Sequence, residues 1–201
     1  MHQPTATQPS SARRTATRWR RALGYAVAAV IALPALLVAV GQAGGLEGRP
    51  AAPPGVRDGR LAPPSATDNS VSSQARLWSD HPRRDAAWIA PLPAQGADPM
   101  TAVRDLALAL PGARLVTEAP GYLHLTHRSR WLGFVDDSEF WLDAEAGLVH
   151  VRAAARLGRR DFGVNRKRVE ALRGQLTARR AQRAAPRSMA RARRPQPAPC
   201  A

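Results

Sequence analysis

The chain is 201 residues long, which suits one ordinary domain with extensions, and 44% of it is hydrophobic. Its formal net charge of +15 is uneven: residues 1–21 hold five arginines and no acid, residues 22–170 hold 17 basic against 15 acidic side chains, and residues 171–201 hold eight arginines and no acid. The single cysteine, Cys200, excludes an intrachain disulfide and a thiolate zinc cluster.

Residues 22–43 form an uncharged run of 22, ALGYAVAAVIALPALLVAVGQA. At about 1.5 Å per residue a helix here reaches roughly 33 Å, enough for a hydrocarbon core of about 30 Å. Pro34 is tolerated in a membrane helix because neighbouring groups re-satisfy the freed backbone. Arg13, Arg14, Arg18, Arg20 and Arg21 precede the run. The positive-inside rule therefore reads residues 1–21 as a basic cytoplasmic arm and 22–43 as a single-pass signal anchor in a bacterial inner membrane. Everything after the anchor is then periplasmic. A signal peptide cleaved after Ala43 is the competing reading.

Residues 44–60 are rich in Gly, Pro and Ala and read as a tether. Residues 61–178 carry the globular domain. Trp88-Ile89 has the look of a short strand. Asp98 as N-cap and Pro99 at the first helical position open a helix with Val103, Leu106, Ala107 and Leu110 on one face, stopped by Pro111-Gly112. Strand-type segments follow at Ala113–Glu118, Tyr122–His127, Gly133–Leu142 and Leu148–Ala154, the last two joined by a turn at Ala144–Gly147. Arg128–Gly133 forms a hairpin tip whose Trp131 folds back onto the sheet or, alternatively, meets a membrane face or partner. A second helix carries Val164, Val169, Leu172 and Leu176. Helix, antiparallel strands, helix is the order of an α+β fold with a small sheet packed by two helices. Residues 179–201 read as a disordered Arg/Pro-rich tail. An extracytoplasmic tail of this kind suits anionic lipid or envelope polymers rather than nucleic acid.

The charged residues between Tyr122 and Glu170 are the candidates for chemistry. Asp136, Asp137 and Glu139 lie in an aromatic strand, Arg152 and Arg156 on or after the next one, and Asp161, Asn165, Arg166 and Arg168 at the start of the last helix. Unpaired charge is costly to bury, so pairing across the hairpin is expected, Asp137 with Arg152 for instance. Three readings stand: a structural ion-pair network, a polar pocket for an anionic ligand, and acid–base catalysis by Asp137 or Glu139, which share a strand face while Asp136 takes the other. His124, His150 and Asp136 make a weak metal constellation, and Ser72-Ser73 matches no nucleophile motif. Without a phosphate-binding glycine loop or dinucleotide fingerprint, no cofactor is expected and no metal site is assigned.

Several segments together carry a resemblance: Val71-Ser-Ser-Gln-Ala, Tyr122-Leu-His, Gly133-Phe-Val-Asp-Asp-Ser-Glu-Phe, Val151-Arg, Ala155-Arg-Leu-Gly and Asp161-Phe-Gly-Val-Asn-Arg-Lys-Arg-Val-Glu. Over roughly Leu61 to Leu176 the chain resembles the domain of unknown function 1499 family of bacteria and plant plastids. The resemblance implies no activity, and it maps the family's motif residues onto the same nine, from Asp136 to Arg168. Members often begin the domain with a cysteine pair flanking Pro and Asn. Pro64 and Ser70 stand at those positions here, which implies that this chain has no disulfide or thiol site there. The expected protein is a membrane-anchored, non-enzymatic binding or scaffolding domain, with an enzyme acting on an anionic substrate as the alternative.

Overall fold

A computed structural model of the chain describes residues 11–50, 52–94 and 96–184. The expected N-terminal arm before Ser11, and the tail after Ala184 with Cys200, lie outside the described residues. The chain forms two compact units, one of residues 1–46 with 131–133 and one of 47–130 with 134–201.

In the first unit, helix α1 spans Ser11–Gln42 with Pro34 inside it. Its Arg18–Gln42 portion of 25 residues is long and apolar enough to cross a membrane: its most apolar 18-residue stretch has a mean hydropathy of 2.4, and none of that stretch is buried. Trp131 is 66% exposed. Its carbonyl accepts from Gln42 Nε2 at 2.8 Å.

The second unit is α+β. Strands β1 (Val56–Arg57) and β2 (Arg60–Leu61) form a small hairpin. Its turn is Asp58-Gly59, both at positive φ (50° and 68°), the conformation a two-residue hairpin of matching twist requires. The stretch read as a tether is therefore partly structured. Next come β3 (Ser70–Ser72), β4 (Leu92–Pro93), α2 (Pro99–Leu108), β5 (Ala113–Ala119), β6 (Tyr122–Arg128), β7 (Val135–Asp143), β8 (Leu148–Ala155) and α3 (Val164–Ala184). The main sheet runs β3-β8-β7-β6-β5, all antiparallel, with β4 pairing β8 beyond β3. Trp88 contributes only an isolated bridge to Ser72 rather than a strand. Helix α3 continues to Ala184, so the expected tail begins as helix. Its arginines and alanines favour helix.

Helix α2 starts where expected, with the Asp98 carboxylate accepting from the Thr101 amide at 3.0 Å and Pro99 in the first turn. One sheet face, carrying Leu123, Leu125, Phe140, Val149, Val151 and Ala153, packs against Val103, Leu106 and Ala107 of α2 and Val169, Leu172 and Leu176 of α3. Each fully buried aliphatic side chain in this layer contributes about 1.5–3 kcal/mol. The opposite face is covered by residues from the β1–β2 region. The Gly55 amide donates to Glu139 Oε1 at 2.7 Å, and the Pro63 carbonyl accepts from Arg152 Nε at 3.0 Å. Gln74 locks this cover down, accepting from the Leu61 amide and donating to the Gly59 carbonyl. Pro64 and Ser70 are both buried there, and the Ser70 hydroxyl accepts from the Ser65 amide at 2.8 Å.

Candidate functional site

Strand β7 alternates its side chains between two environments, as a strand must. Asp136 joins the helix side of the sheet, while Asp137 and Glu139 join the side covered by residues 55–63. The nine charged and polar residues expected to form one cluster are thereby divided.

Under the cover, Glu139 and Arg152 stand directly opposite each other on β7 and β8. Glu139 is 0% and Arg152 2% exposed. Arg152 Nη1 donates to Glu139 Oε2 at 3.0 Å, and Tyr122 donates its hydroxyl to Oε1 at 2.9 Å. The expected Asp137–Arg152 pair does not form, because the register sets Asp137 opposite Ala154. Asp137 instead accepts a two-pronged bond from Arg156 (2.9 and 2.8 Å) and a third bond from His124 Nε2 at 2.8 Å. Burial pushes the Asp137 carboxyl up, but the His124 and Arg156 hydrogen bonds outweigh it and hold it below the usual carboxylate range. Burial, reinforced by the Glu139 carboxylate, pushes the Tyr122 phenol far up. Beside this network the rings of Trp141 and His150 stack at 5.4 Å.

On the helix side, Asp136 accepts from Arg168 Nη2 at 2.9 Å, and Arg168 also donates to the fully buried Asn165. Burial raises the Asp136 carboxyl despite Arg168. The two Asp161 oxygens accept from the Gly163 and Asn165 amides at 3.0 and 2.9 Å, closing the first turn of α3. Arg166 is spent on the carbonyls of Ala86 and Trp88, both at 3.0 Å. Asp136, Asp161 and Arg168 line a groove of about 550 Å³, the size range of small-molecule sites. Its apolar surface comes from Phe134, Leu157, Phe162 and Val164, all at least 40% exposed. Phe162 is 86% exposed and held at φ 52°, a left-handed backbone that costs a bulky residue on the order of 1–3 kcal/mol.

The groove also contains a residue the charge pattern did not single out. His127 is 3% exposed, and neither ring nitrogen has a hydrogen-bond partner. Burial, with Arg168 adding to it, pushes the imidazole down to about 3, so the ring is neutral at ordinary pH. A neutral imidazole has one N–H donor and one acceptor nitrogen, and both stand unused here. The available clue was parity: His127 shares the core-side register of Leu123 and Leu125, where a polar ring needs a partner.

The weak metal constellation does not assemble. Asp136 lies on the helix side, whereas His124 is bonded to Asp137 and His150 Nδ1 lies 3.1 Å from the Ser73 hydroxyl on the other side. Among the described residues, no group of three or more His, Cys, Asp or Glu side chains is placed to hold a metal ion. Ser73 serves the sheet, accepting from the Val151 amide at 2.9 Å.

No curated protein and no solved structure matches the chain. A family model described as "Protein of unknown function (DUF1499)" matches residues 60–176, more than half of the sequence and the whole of the sheet from β3 to β8 with α2 and most of α3, and the chain belongs to that family.

Proposed function

We propose that this is a membrane-anchored protein of the bacterial cell envelope whose periplasmic domain binds a small ligand in the His127 groove and performs no chemistry of its own. The observation that carries the reading is His127: a buried imidazole with two idle nitrogens, in an apolar groove that opens to solvent. In this reading the network of Asp137, Glu139, Arg152 and Arg156 is scaffold. Those carboxylates, the candidates for acid–base work, are at most 2% exposed and already paired, which argues against a substrate reaching them. Asp136, Asp161, Asn165 and Arg168 shape the groove, and Arg166 ties its neighbouring loop down.

The test uses the full chain in nanodiscs, methyl-labelled and titrated with short amphiphiles. Shifts confined to Leu157, Val164 and neighbours of His127 are expected. Silence of the groove towards every amphiphile contradicts the reading. The anchor and its orientation are tested separately by a reporter fused after Leu176, where activity in the cytoplasm overturns the topology. The basic tail is assigned to anionic lipid or envelope polymer on charge alone, and its removal is expected to weaken retention on anionic vesicles.

A further inference from the structure

The groove has a chemical polarity of its own. Its floor is His127, Asp136, Arg168 and Ala155, all largely buried, and its rim is Phe134, Leu157, Phe162 and Val164 with Arg160. Arg160 and Arg168 line it together with two aspartates, Asp136 and Asp161. Both aspartates are committed within the fold, Asp136 to Arg168 and Asp161 to the first amides of α3. Glu47 pairs with Arg128 at the same groove. Arg160 is 74% exposed, and its nearest carboxylate, Asp68, is 3.9 Å away and already pairs with Arg83. The helix N-terminus does not compete as an anion site, since Asp161 fills it.

We propose that the groove takes an amphipathic anion: a carboxylate or phosphate group carried on an apolar chain. One charged oxygen accepts the His127 N–H on the floor, within the field of Arg168 and Arg160. The chain lies along Phe134, Leu157, Phe162 and Val164. A cationic head meets Arg160 and is repelled. A neutral head fills the imidazole bond but gains nothing from the field. Phe162 stands in a strained backbone with most of its ring in water, and contact with such a chain removes that ring from solvent. This inference rests on the groove being the binding surface. Two sources supply the same chemistry, a free acyl carboxylate or phosphate, and an anionic bilayer lipid.

The experiment titrates the methyl-labelled full chain, in phosphatidylcholine nanodiscs, with octanoate, octyl phosphate, octanol and octyltrimethylammonium, reading Leu157 and Val164. Both anions are expected to bind at least roughly tenfold more tightly than octanol or the ammonium, the size of one charge-assisted hydrogen bond. Both His127→Leu and Arg160→Gln are expected to shrink that preference several-fold. A second arm uses nanodiscs containing phosphatidylglycerol. Groove signals already displaced before octanoate is added identify the bilayer as source, and undisplaced signals identify a free amphiphile. Equal binding of octanol or the ammonium overturns the anionic class while keeping the groove as a site. Binding by none of the four overturns the groove itself. Should His127→Leu fail to fold, exposed Arg160→Gln decides: an unchanged preference for the anions overturns the proposal.

Discussion

The two faces of the sheet hold their buried polar side chains differently. On the covered face, Glu139 and Arg152 are wholly buried; Glu139 has each oxygen answered, by Arg152 on one side and by Tyr122 and the Gly55 amide on the other, while Arg152 bonds through Nε and Nη1 and leaves Nη2 without a partner. On the helix side, His127 is as deeply buried and has no answer at all. A buried polar group that is satisfied belongs to the fold, and one left unsatisfied beside an open groove points outward to something else. The density of charge in a sequence segment therefore does not locate a site. The density was highest around Asp137 and Arg152, and that is where the protein is most closed.

Breaking the covered face is expected to have the largest effect. Arg152→Ala leaves Glu139 buried without its cation and is expected to cost about 3–5 kcal/mol of unfolding free energy, read by urea titration of the full chain in detergent. A loss below about 1 kcal/mol contradicts the scaffold role, because that is the scale of an exposed pair.

The second effect is read through pH. His127 titrates near 3 when folded and near 6.5 when unfolded, so the unfolded chain binds the extra proton between these values. Stability from this group is complete above about pH 6.5 and falls by up to about 1.4 kcal/mol per unit as pH drops. Asp137, whose carboxyl is held below the usual range, contributes stability that is lost only at more acid pH, as pH falls through its folded value. Asp136, raised by burial, works with the opposite sign by holding its proton more readily when folded. In the window from pH 6.5 to 5 two histidines carry the slope, His127 with the larger shift and half-buried His150, also lowered by burial, adding to it with the same sign. His127→Leu is expected to reduce the slope of the stability profile there, leaving the His150 contribution, and a slope equal to that of the unmodified chain contradicts the assignment.

The smallest effect sharpens the groove. Phe162→Gly relieves a left-handed backbone, and is expected to stabilise the fold by about 0.5–1 kcal/mol while weakening octanoate binding. Stability gained where binding is lost marks a residue kept for contact with something outside the chain. Loss of both would make Phe162 a packing residue, which its 86% exposure argues against.

Much of the fold was legible because its elements announce themselves by period and caps. Asp98-Pro99 opens α2, and alternation in Leu123–Leu125 and Val149–Val151 marks β6 and β8. The short strands were not legible. Ser70–Ser72 is polar yet buried on both faces, since a separate segment covers the outer one, and two-residue strands leave no period to read. The β1–β2 hairpin had a local mark in Asp58-Gly59, submerged in a stretch whose Gly and Pro content reads as linker. At the site, strand parity correctly separates Asp136 from Asp137. Partner choice depends on register, and two residues of offset exchange Glu139 for Asp137 as the mate of Arg152. His127 escaped because charge was followed rather than the apolar face on which the ring stands.

The central claim, that the groove rather than the buried charge network meets the ligand, is tested most directly by one paired titration. Octanoate affinity is measured in nanodiscs for the full chain carrying Asp137→Asn or carrying Phe162→Ala. Asp137→Asn is expected to leave affinity within about twofold at a temperature where it is folded, while Phe162→Ala lowers it about tenfold. The reverse pattern, with binding lost on the covered face and retained in the groove, would contradict it.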